Sequence, residues 1–129
     1  MLNLLLVMAG GAIGSALRYS FGQFSLRLTG PNPPWSWPWG TLGVNVIGGF
    51  VMGLFAGWLA ARAQGGEHVR LFVAVGLLGG FTTFSAFSLE TMLLIERGAL
   101  MSAAAYALTS VLAAVGALAL GLALMRSFA

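Results

Sequence analysis

The stretch GGFTTFSAFSLE, residues 79–90, lies inside an otherwise apolar segment that covers residues 71–95. Its glycines and hydroxyl residues interrupt a segment of membrane-spanning length, and phenylalanine recurs at every third position, at Phe81, Phe84 and Phe87. Helix-breaking polar backbone is tolerated in the hydrocarbon layer only where it is buried in protein or lines a cavity. The stretch therefore predicts a site at the centre of this segment, with a glycine kink that has no function as the alternative.

The composition around this stretch indicates the class of protein. The 129 residues are 59% hydrophobic and 7% charged, and the mean hydropathy is +0.94, which is too apolar for a soluble domain. A hydrocarbon core needs about 20 apolar residues per spanning helix. We therefore predict an all-α integral membrane protein, a single domain over residues 1–129 with four transmembrane helices. The approximate spans are residues 2–28, 41–62, 71–95 (broken at its centre, near 79–82) and 101–125.

The few charged residues argue against catalysis and nucleic-acid binding. The chain has six arginines, three glutamates and one histidine, without lysine, aspartate or cysteine. General acid and base catalysis usually needs tuned titratable groups in one pocket, whereas these candidates fall mostly near predicted helix ends. Six scattered arginines make no basic face for nucleic acid, and without cysteine there is no disulfide or thiolate metal site. We expect neither an enzyme nor a nucleic-acid-binding protein.

The predicted connections leave the orientation in the membrane open. Residues 29–40, TGPNPPWSWPWG, are interpreted as an interfacial loop whose Trp35, Trp37 and Trp39 suit the headgroup boundary. Residues 63–70 are interpreted as a polar turn with Gly65 and Gly66 as helix breakers. The first segment has no basic stretch ahead of it and is interpreted as a retained helix. Arginines are nearly balanced between the two sides, so either lipid or insertion order decides the orientation, or the protein inserts both ways. Dual insertion would supply an antiparallel partner for a two-fold dimer.

Small and polar residues recur within the spans. Glycines at steps of four in the first two helices are interpreted as packing positions, because small residues let helices approach closely in lipid. Asn45 needs hydrogen-bond partners at this depth, since an unpaired amide in hydrocarbon costs several kcal/mol. It is expected either to bridge two helices or to face a polar pathway.

The fourth helix carries hydroxyls at steps of four, at Ser102, Tyr106 and Ser110. Each serine alone commonly bonds to its own helix backbone, but together they form a ladder that could replace the hydration of an anion without trapping it. Glu90 could couple transport to protons or bind cations. We favour a structural role for it, by snorkelling or by pairing with an arginine.

The interruption in the third span offers two chemistries. Gly79 and Gly80 are expected to break the helix, with Thr82 and Thr83 as caps of a new start. Freed carbonyls suit a small monovalent cation, and the amides of a helix start suit an anion. The phenylalanine rings have electropositive edges that could line an anion path, although core filling is the usual role of such a row.

These features resemble those of the Fluc-type fluoride channels, the CrcB family. The resemblance covers essentially the whole chain and rests on GGAIGSALRY at 10–19, GTLGVNVIGGF at 40–50 and GGFTTFSAFSLE at 79–90. It implies a fluoride-selective channel that passively exports toxic fluoride as a multi-pass protein of the bacterial inner (plasma) membrane. It also implies an antiparallel dual-topology homodimer in the lipid bilayer, with two pores that are each built from both subunits.

The resemblance implies roles for individual residues. The implied pore residues are Asn45, Phe84, Phe87, Tyr106 and Ser110, with Ser85 and Thr83 beside them. Backbone carbonyls at Gly79 and Thr82 of both subunits would hold a structural sodium ion (Na+) at the dimer interface. Phe81 is expected only to pack, and Ala86 stands where many members carry threonine, so a hydroxyl is absent there.

Two other functions are considered. A small dual-topology multidrug or cation exporter would need a carboxylate in the first helix, and this helix has none. A non-conducting membrane packing subunit would have no need of the polar interruption. Arg18 could raise the anion concentration at a pore mouth or pair with Glu90.

Overall fold

A computed structural model describes residues 1–30, 37–62 and 66–128 of the chain, and these residues form helices and short connections without strands. The helices are α1 Leu2–Thr29, α2 Trp39–Ala60, α3 Glu67–Arg70, a π-helix Leu71–Leu78, α4 Gly79–Phe81, α5 Phe84–Glu96 and α6 Leu100–Ser127. The predicted positions Trp35 and Gly65 lie outside the described residues.

Four helical segments are long and apolar enough to cross a membrane, which confirms the all-α prediction of four spans. They are Leu2–Thr29, Trp39–Ala60, Glu67–Glu96 and Leu100–Ser127. The third begins at Glu67, four residues before the predicted start, because the polar residues that precede Leu71 also take up helical backbone as α3. Acidic Glu67 lies in the first turn of α3, where the helix dipole favours a negative charge.

Close backbone contacts join the spans in two pairs, α1 with the π-helix and α2 with α6. A Cβ atom at Gly14 would overlap the carbonyl oxygen of Leu77, and a Cβ atom at Gly53 would overlap that of Leu118. Backbone cannot yield as a flexible side chain can, so only glycine permits these approaches. The packing role predicted for the glycines is confirmed at these positions.

The third span changes its backbone conformation four times along its length. Residues 71–78 form a π-helix, which has wider turns than an α-helix. Such helices are rare in general, and those that occur are often at functional sites. Helix α4 then ends at Phe81, and Thr82 (φ −84°, ψ 160°) and Thr83 (φ −152°, ψ 123°) are extended before α5 begins. We call Thr82 and Thr83 the extended turn.

Gly79 and Gly80, which we expected to break the helix, are themselves helical. The small size of Gly80 serves packing instead: a Cβ atom there would lie 2.7 Å from the carbonyl oxygen of Gly11 on α1. The change of backbone conformation falls on the two threonines that follow.

Candidate functional site

Asn45 on α2 is bound to the extended turn by two hydrogen bonds. The Thr83 amide donates to Asn45 Oδ1 at 2.8 Å, and Asn45 Nδ2 donates to the Thr83 carbonyl oxygen at 3.0 Å. Because Thr83 is extended, its backbone amide and carbonyl do not take part in helix hydrogen bonds. The Asn45 side chain offers both an acceptor and a donor, so it satisfies both groups. Asn45 therefore bridges two spans, which is one of the two roles that the sequence left open.

The two threonine hydroxyls of the extended turn face different helices. Thr83 Oγ1 accepts a hydrogen bond from the Ala86 amide at 3.2 Å and caps α5, as predicted. Thr82 Oγ1 instead donates to the Leu78 carbonyl oxygen at 2.8 Å, so its predicted role as a cap of the following helix is wrong. The Thr82 amide also donates to the Leu78 carbonyl oxygen, so the backbone of Thr82 completes the last turn of α4 and its hydroxyl reaches the same carbonyl.

A cavity of about 380 Å³ lies between α2, α5 and α6 beside the extended turn, and we call it the turn cavity. Six of the predicted site residues line it: Asn45, Thr82, Thr83, Phe84, Phe87 and Ser110. Most of the remaining wall is apolar and includes Met52, Val111 and Leu118. The predicted residues from three spans are thus brought together around one space.

The other predicted residues lie nearby but do not line this cavity. Tyr106 is fully buried, at 0% exposure, next to Phe87, with ring centroids 5.5 Å apart. Ser85 is exposed, and its hydroxyl oxygen lies 3.4 Å from that of Thr83. Gly79 is exposed in α4, just ahead of the extended turn.

The phenylalanines of the third span differ in their surroundings. Phe81 packs edge-on against Phe21 of α1 at 6.5 Å between ring centroids, so the expected packing role is confirmed. Phe84 and Phe87 lie together at the turn cavity with centroids 5.6 Å apart. Phe84 is 77% exposed, so packing within one copy of the chain leaves most of its ring uncovered.

Among the residues that the structure describes, Glu90 is held by hydroxyl groups and not by an arginine, so the expected alternative of pairing with an arginine is not found there. Thr41 Oγ1 donates to Oε1 at 2.8 Å, and the Tyr106 hydroxyl donates to Oε2 at 3.0 Å. The carboxylate meets these groups because the start of α2, the middle of α5 and the start of α6 lie at one level of the bundle. Sequence reasoning did not identify Thr41, although it stands one helical turn before Asn45 on the same face.

A second cavity, of about 330 Å³, lies between α1, α2 and α5, and we call it the Arg18 cavity. Arg18, Gln23, Thr41 and Glu90 are among its lining residues, and Thr83 lines both this cavity and the turn cavity. Thr83 therefore lies between two spaces. The Arg18 cavity has a guanidinium and a carboxylate among its lining groups, and the turn cavity has an amide, three hydroxyls and two phenylalanine rings.

The hydroxyl row of α6 has three different environments. Ser102 Oγ accepts a hydrogen bond from Trp37 Nε1 at 3.0 Å, and the Tyr106 hydroxyl binds Glu90. Ser110 is 5% exposed, and its hydroxyl has no hydrogen-bond partner among the residues that the structure describes. A buried hydroxyl without a partner costs free energy, so Ser110 is the member of the row that is free to bind a ligand in the turn cavity.

Comparison with known proteins identifies the family of this chain. The family model described as CrcB-like protein, Camphor Resistance (CrcB), matches residues 5–122. A protein of Novosphingobium aromaticivorans named fluoride-specific ion channel FluC is 54% identical over 123 residues, 95% of each chain. Proteins of the same name from Mesorhizobium japonicum and Agrobacterium fabrum are 55% and 50% identical, each over 98% of both chains. With these bacterial relatives and its four spanning helices, this is a multi-pass bacterial membrane protein, and the chain belongs to the CrcB family.

Proposed function

We propose that this protein is a fluoride-selective ion channel that passively exports fluoride from the cell. The proposal is supported by the relatives named as fluoride-specific channels, which are not enzymes. The observation that carries it is the turn cavity, where Asn45, Phe84, Phe87 and the unpaired Ser110 hydroxyl face one space. A selective pore for a small, strongly hydrated anion must replace its water with short-range donors in a narrow space.

The donors available at the turn cavity suit an anion. The Ser110 hydroxyl can turn its hydrogen toward the cavity because no partner in the described residues holds it. Asn45 uses one Nδ2 hydrogen on Thr83, and an amide nitrogen carries two. The edges of the Phe84 and Phe87 rings carry partial positive charge. None of these groups carries a full charge, so the ion is solvated without being trapped.

The Arg18 cavity supplies the approach to this site. A guanidinium at a cavity mouth raises the local concentration of anions. Glu90 lines the same cavity, and its carboxylate accepts hydrogen bonds from the hydroxyls of Thr41 and Tyr106. An anion that passes from the Arg18 cavity to the turn cavity must pass Thr83, which lines both.

A second copy of the chain in antiparallel orientation completes the pore in this proposal. The turn cavity is open at the surface of the single chain, and Phe84 stands exposed at its edge. Polar groups such as Asn45 and Ser110 would be costly against lipid tails, so protein must cover them. A two-fold homodimer covers both copies of the site with the same surface and yields two pores.

We further propose that a structural sodium ion binds at the end of α4, where the third span acts as a broken helix. The Thr83 amide donates to Asn45, so the helix ladder does not continue to the Gly79 carbonyl. Carbonyls at such breaks are suitable ligands for Na+. A Cβ atom at Gly79 would have only the Ala74 oxygen near it, at 3.5 Å, so the backbone there is open to a second copy. The chemistry of the donors at Gly79 and Thr82 therefore fits the ion.

Ion flux from liposomes tests the proposal. Purified protein is expected to release fluoride from loaded vesicles and to leave chloride inside, whereas protein-free vesicles release neither. Replacing Phe84 or Phe87 with isoleucine removes the ring edge and keeps apolar volume, so fluoride release is expected to fall by about tenfold or more. Phe81→Ile is the control and is expected to conduct as the wild type does. Absence of fluoride release, or release of chloride at the same rate, would refute the channel.

A further inference from the structure

Trp37 makes a specific contact with the start of α6. It lies two residues before α2, and its indole Nε1 donates to Ser102 Oγ at 3.0 Å across 65 residues of sequence. Its ring stands at 62° to the ring of Tyr106, with centroids 6.0 Å apart. Trp37 therefore donates a hydrogen bond to Ser102, the first hydroxyl residue of the α6 row, and its ring packs against Tyr106, the second.

The surroundings of this contact are the best buried part of the described chain. Trp37 packs against a cluster of Leu94, Ala103 and Tyr106, which are 2%, 3% and 0% exposed. These residues lie close to the end of the bundle, where α5 ends at Glu96 and α6 begins at Leu100. Trp37 is one of the residues packed against this cluster, together with Leu42, Phe87 and Ala99.

A continuous row of rings leads from this end of the bundle to the turn cavity. Successive ring centroids are 5.5, 6.0, 5.5 and 5.6 Å apart along the series Trp39, Trp37, Tyr106, Phe87 and Phe84. Rings at these separations are in contact with one another. The Trp37 indole therefore covers Ser102 at one end of the α6 hydroxyl row, while Ser110 faces the turn cavity at the other.

We propose that Trp37 is a specificity-determining seal, which closes the Ser102 end of the α6 row so that, on this side of the membrane, anions reach the turn cavity through the Arg18 cavity. The inference rests on the proposed channel function. Without the indole, water could enter at Ser102 and follow the hydroxyls toward Ser110. A wetter path would let a larger anion such as chloride keep part of its hydration shell, and discrimination against it would fall.

An interfacial anchor is the usual role of a tryptophan near the end of a spanning helix. Trp39 provides the comparison, because it stacks on Trp37 yet is 46% exposed and lies on the outer side of the row. If both residues were anchors, their replacement would have similar effects. The seal requires that only Trp37 matters.

Thiol labelling tests the seal without reference to fluoride. The chain has no cysteine, so Ser102→Cys introduces a single reporter whose sulfur can take the place of the hydroxyl oxygen. A charged, water-soluble methanethiosulfonate reagent is expected to react slowly with this variant and about tenfold faster when Trp37→Ala is added, because reactivity follows access. Adding Trp39→Ala in place of Trp37→Ala is expected to leave the rate unchanged. Equal rates in all three variants would overturn the proposal.

Flux measurements test the consequence for selectivity. Trp37→Ala is expected to lower the ratio of fluoride to chloride release by about tenfold, and Trp37→Phe, which keeps a ring but loses the N–H donor, by less. Trp39→Ala is expected to keep the wild-type ratio. A wild-type ratio in Trp37→Ala would refute the seal. If Trp37→Ala does not yield folded protein, Trp37→Leu takes its place in both experiments.

The two experiments separate the seal from the channel. If the wild type releases no fluoride, the proposed function fails, while the labelling rates still decide whether Trp37 closes the row. If the wild type conducts fluoride selectively and labelling is independent of Trp37, the channel stands and the seal is wrong.

Discussion

Replacing Asn45 with alanine should destabilise the fold around the extended turn. The substitution removes both hydrogen bonds to Thr83, at 2.8 and 3.0 Å, and leaves the amide and the carbonyl of a residue that is only 8% exposed. An unsatisfied buried polar group costs about 1 to 3 kcal/mol. Water that enters through the open turn cavity can satisfy part of this demand. We therefore expect a loss of about 2 to 4 kcal/mol in the free energy of unfolding for the two groups together.

The assay is thermal unfolding of the purified protein in detergent, followed by tryptophan fluorescence. Asn3→Ala is the matched control, because Asn3 is exposed near the start of α1. Asn45→Asp keeps an acceptor for the Thr83 amide but places a second oxygen against the Thr83 carbonyl, and burial of a carboxylate adds a desolvation cost, so its loss should be at least that of one broken bond. If Asn45→Ala melts at the same temperature as Asn3→Ala, the two bonds do not stabilise the extended turn and the reasoning is refuted.

Three further predictions follow from single contacts. Gly14→Ala places a methyl group against a backbone carbonyl of the π-helix and should cost about 3 kcal/mol or more of stability in the same melting assay. Gly116→Ala, whose added Cβ atom meets nothing within 4 Å in the described chain, should instead be neutral or stabilising by up to about 1 kcal/mol. Thr41→Val removes a donor to a half-buried carboxylate and should cost about 1 to 3 kcal/mol, whereas Thr91→Val, which removes a bond within its own helix, should have less effect; equal losses would contradict this. Ser110→Ala removes a hydroxyl that has no partner in the described residues, so stability should be unchanged or raised while fluoride release falls by about tenfold; reduced stability with unchanged release would contradict the assignment.

Local patterns in the sequence were sufficient for the class of protein and for the positions of the spans. The length and apolar character of the four segments depend on residues that are neighbours in the chain, and their bounds were predicted to within a few residues. The cap formed by Thr83 was also predictable, because its hydroxyl bonds to an amide three residues away. The expected packing of Phe81 was confirmed, although its partner Phe21 on α1 could not be named from the sequence.

Other parts of the site could not be predicted from local patterns. The glycines of residues 79–80 looked like the break in the third span, but both are helical, and Gly80 serves close contact with α1. Glu90 looked like a partner for an arginine, whereas it accepts hydrogen bonds from Thr41 and Tyr106. In both cases the residue type indicated the kind of contact that the residue makes, but the partner lies on another helix and could not be named from the sequence.

The sequence by itself determined that this chain crosses a membrane four times and that Asn45 and the α6 hydroxyls need partners there. Only the tertiary structure decided which partners they have: Thr83 for Asn45, Trp37 for Ser102 and, in the described residues, none for Ser110. The physical reason is that each choice depends on how the helices are rotated and shifted against one another. Their rotation and shift follow from close backbone contacts at glycines on different spans, which no local pattern contains.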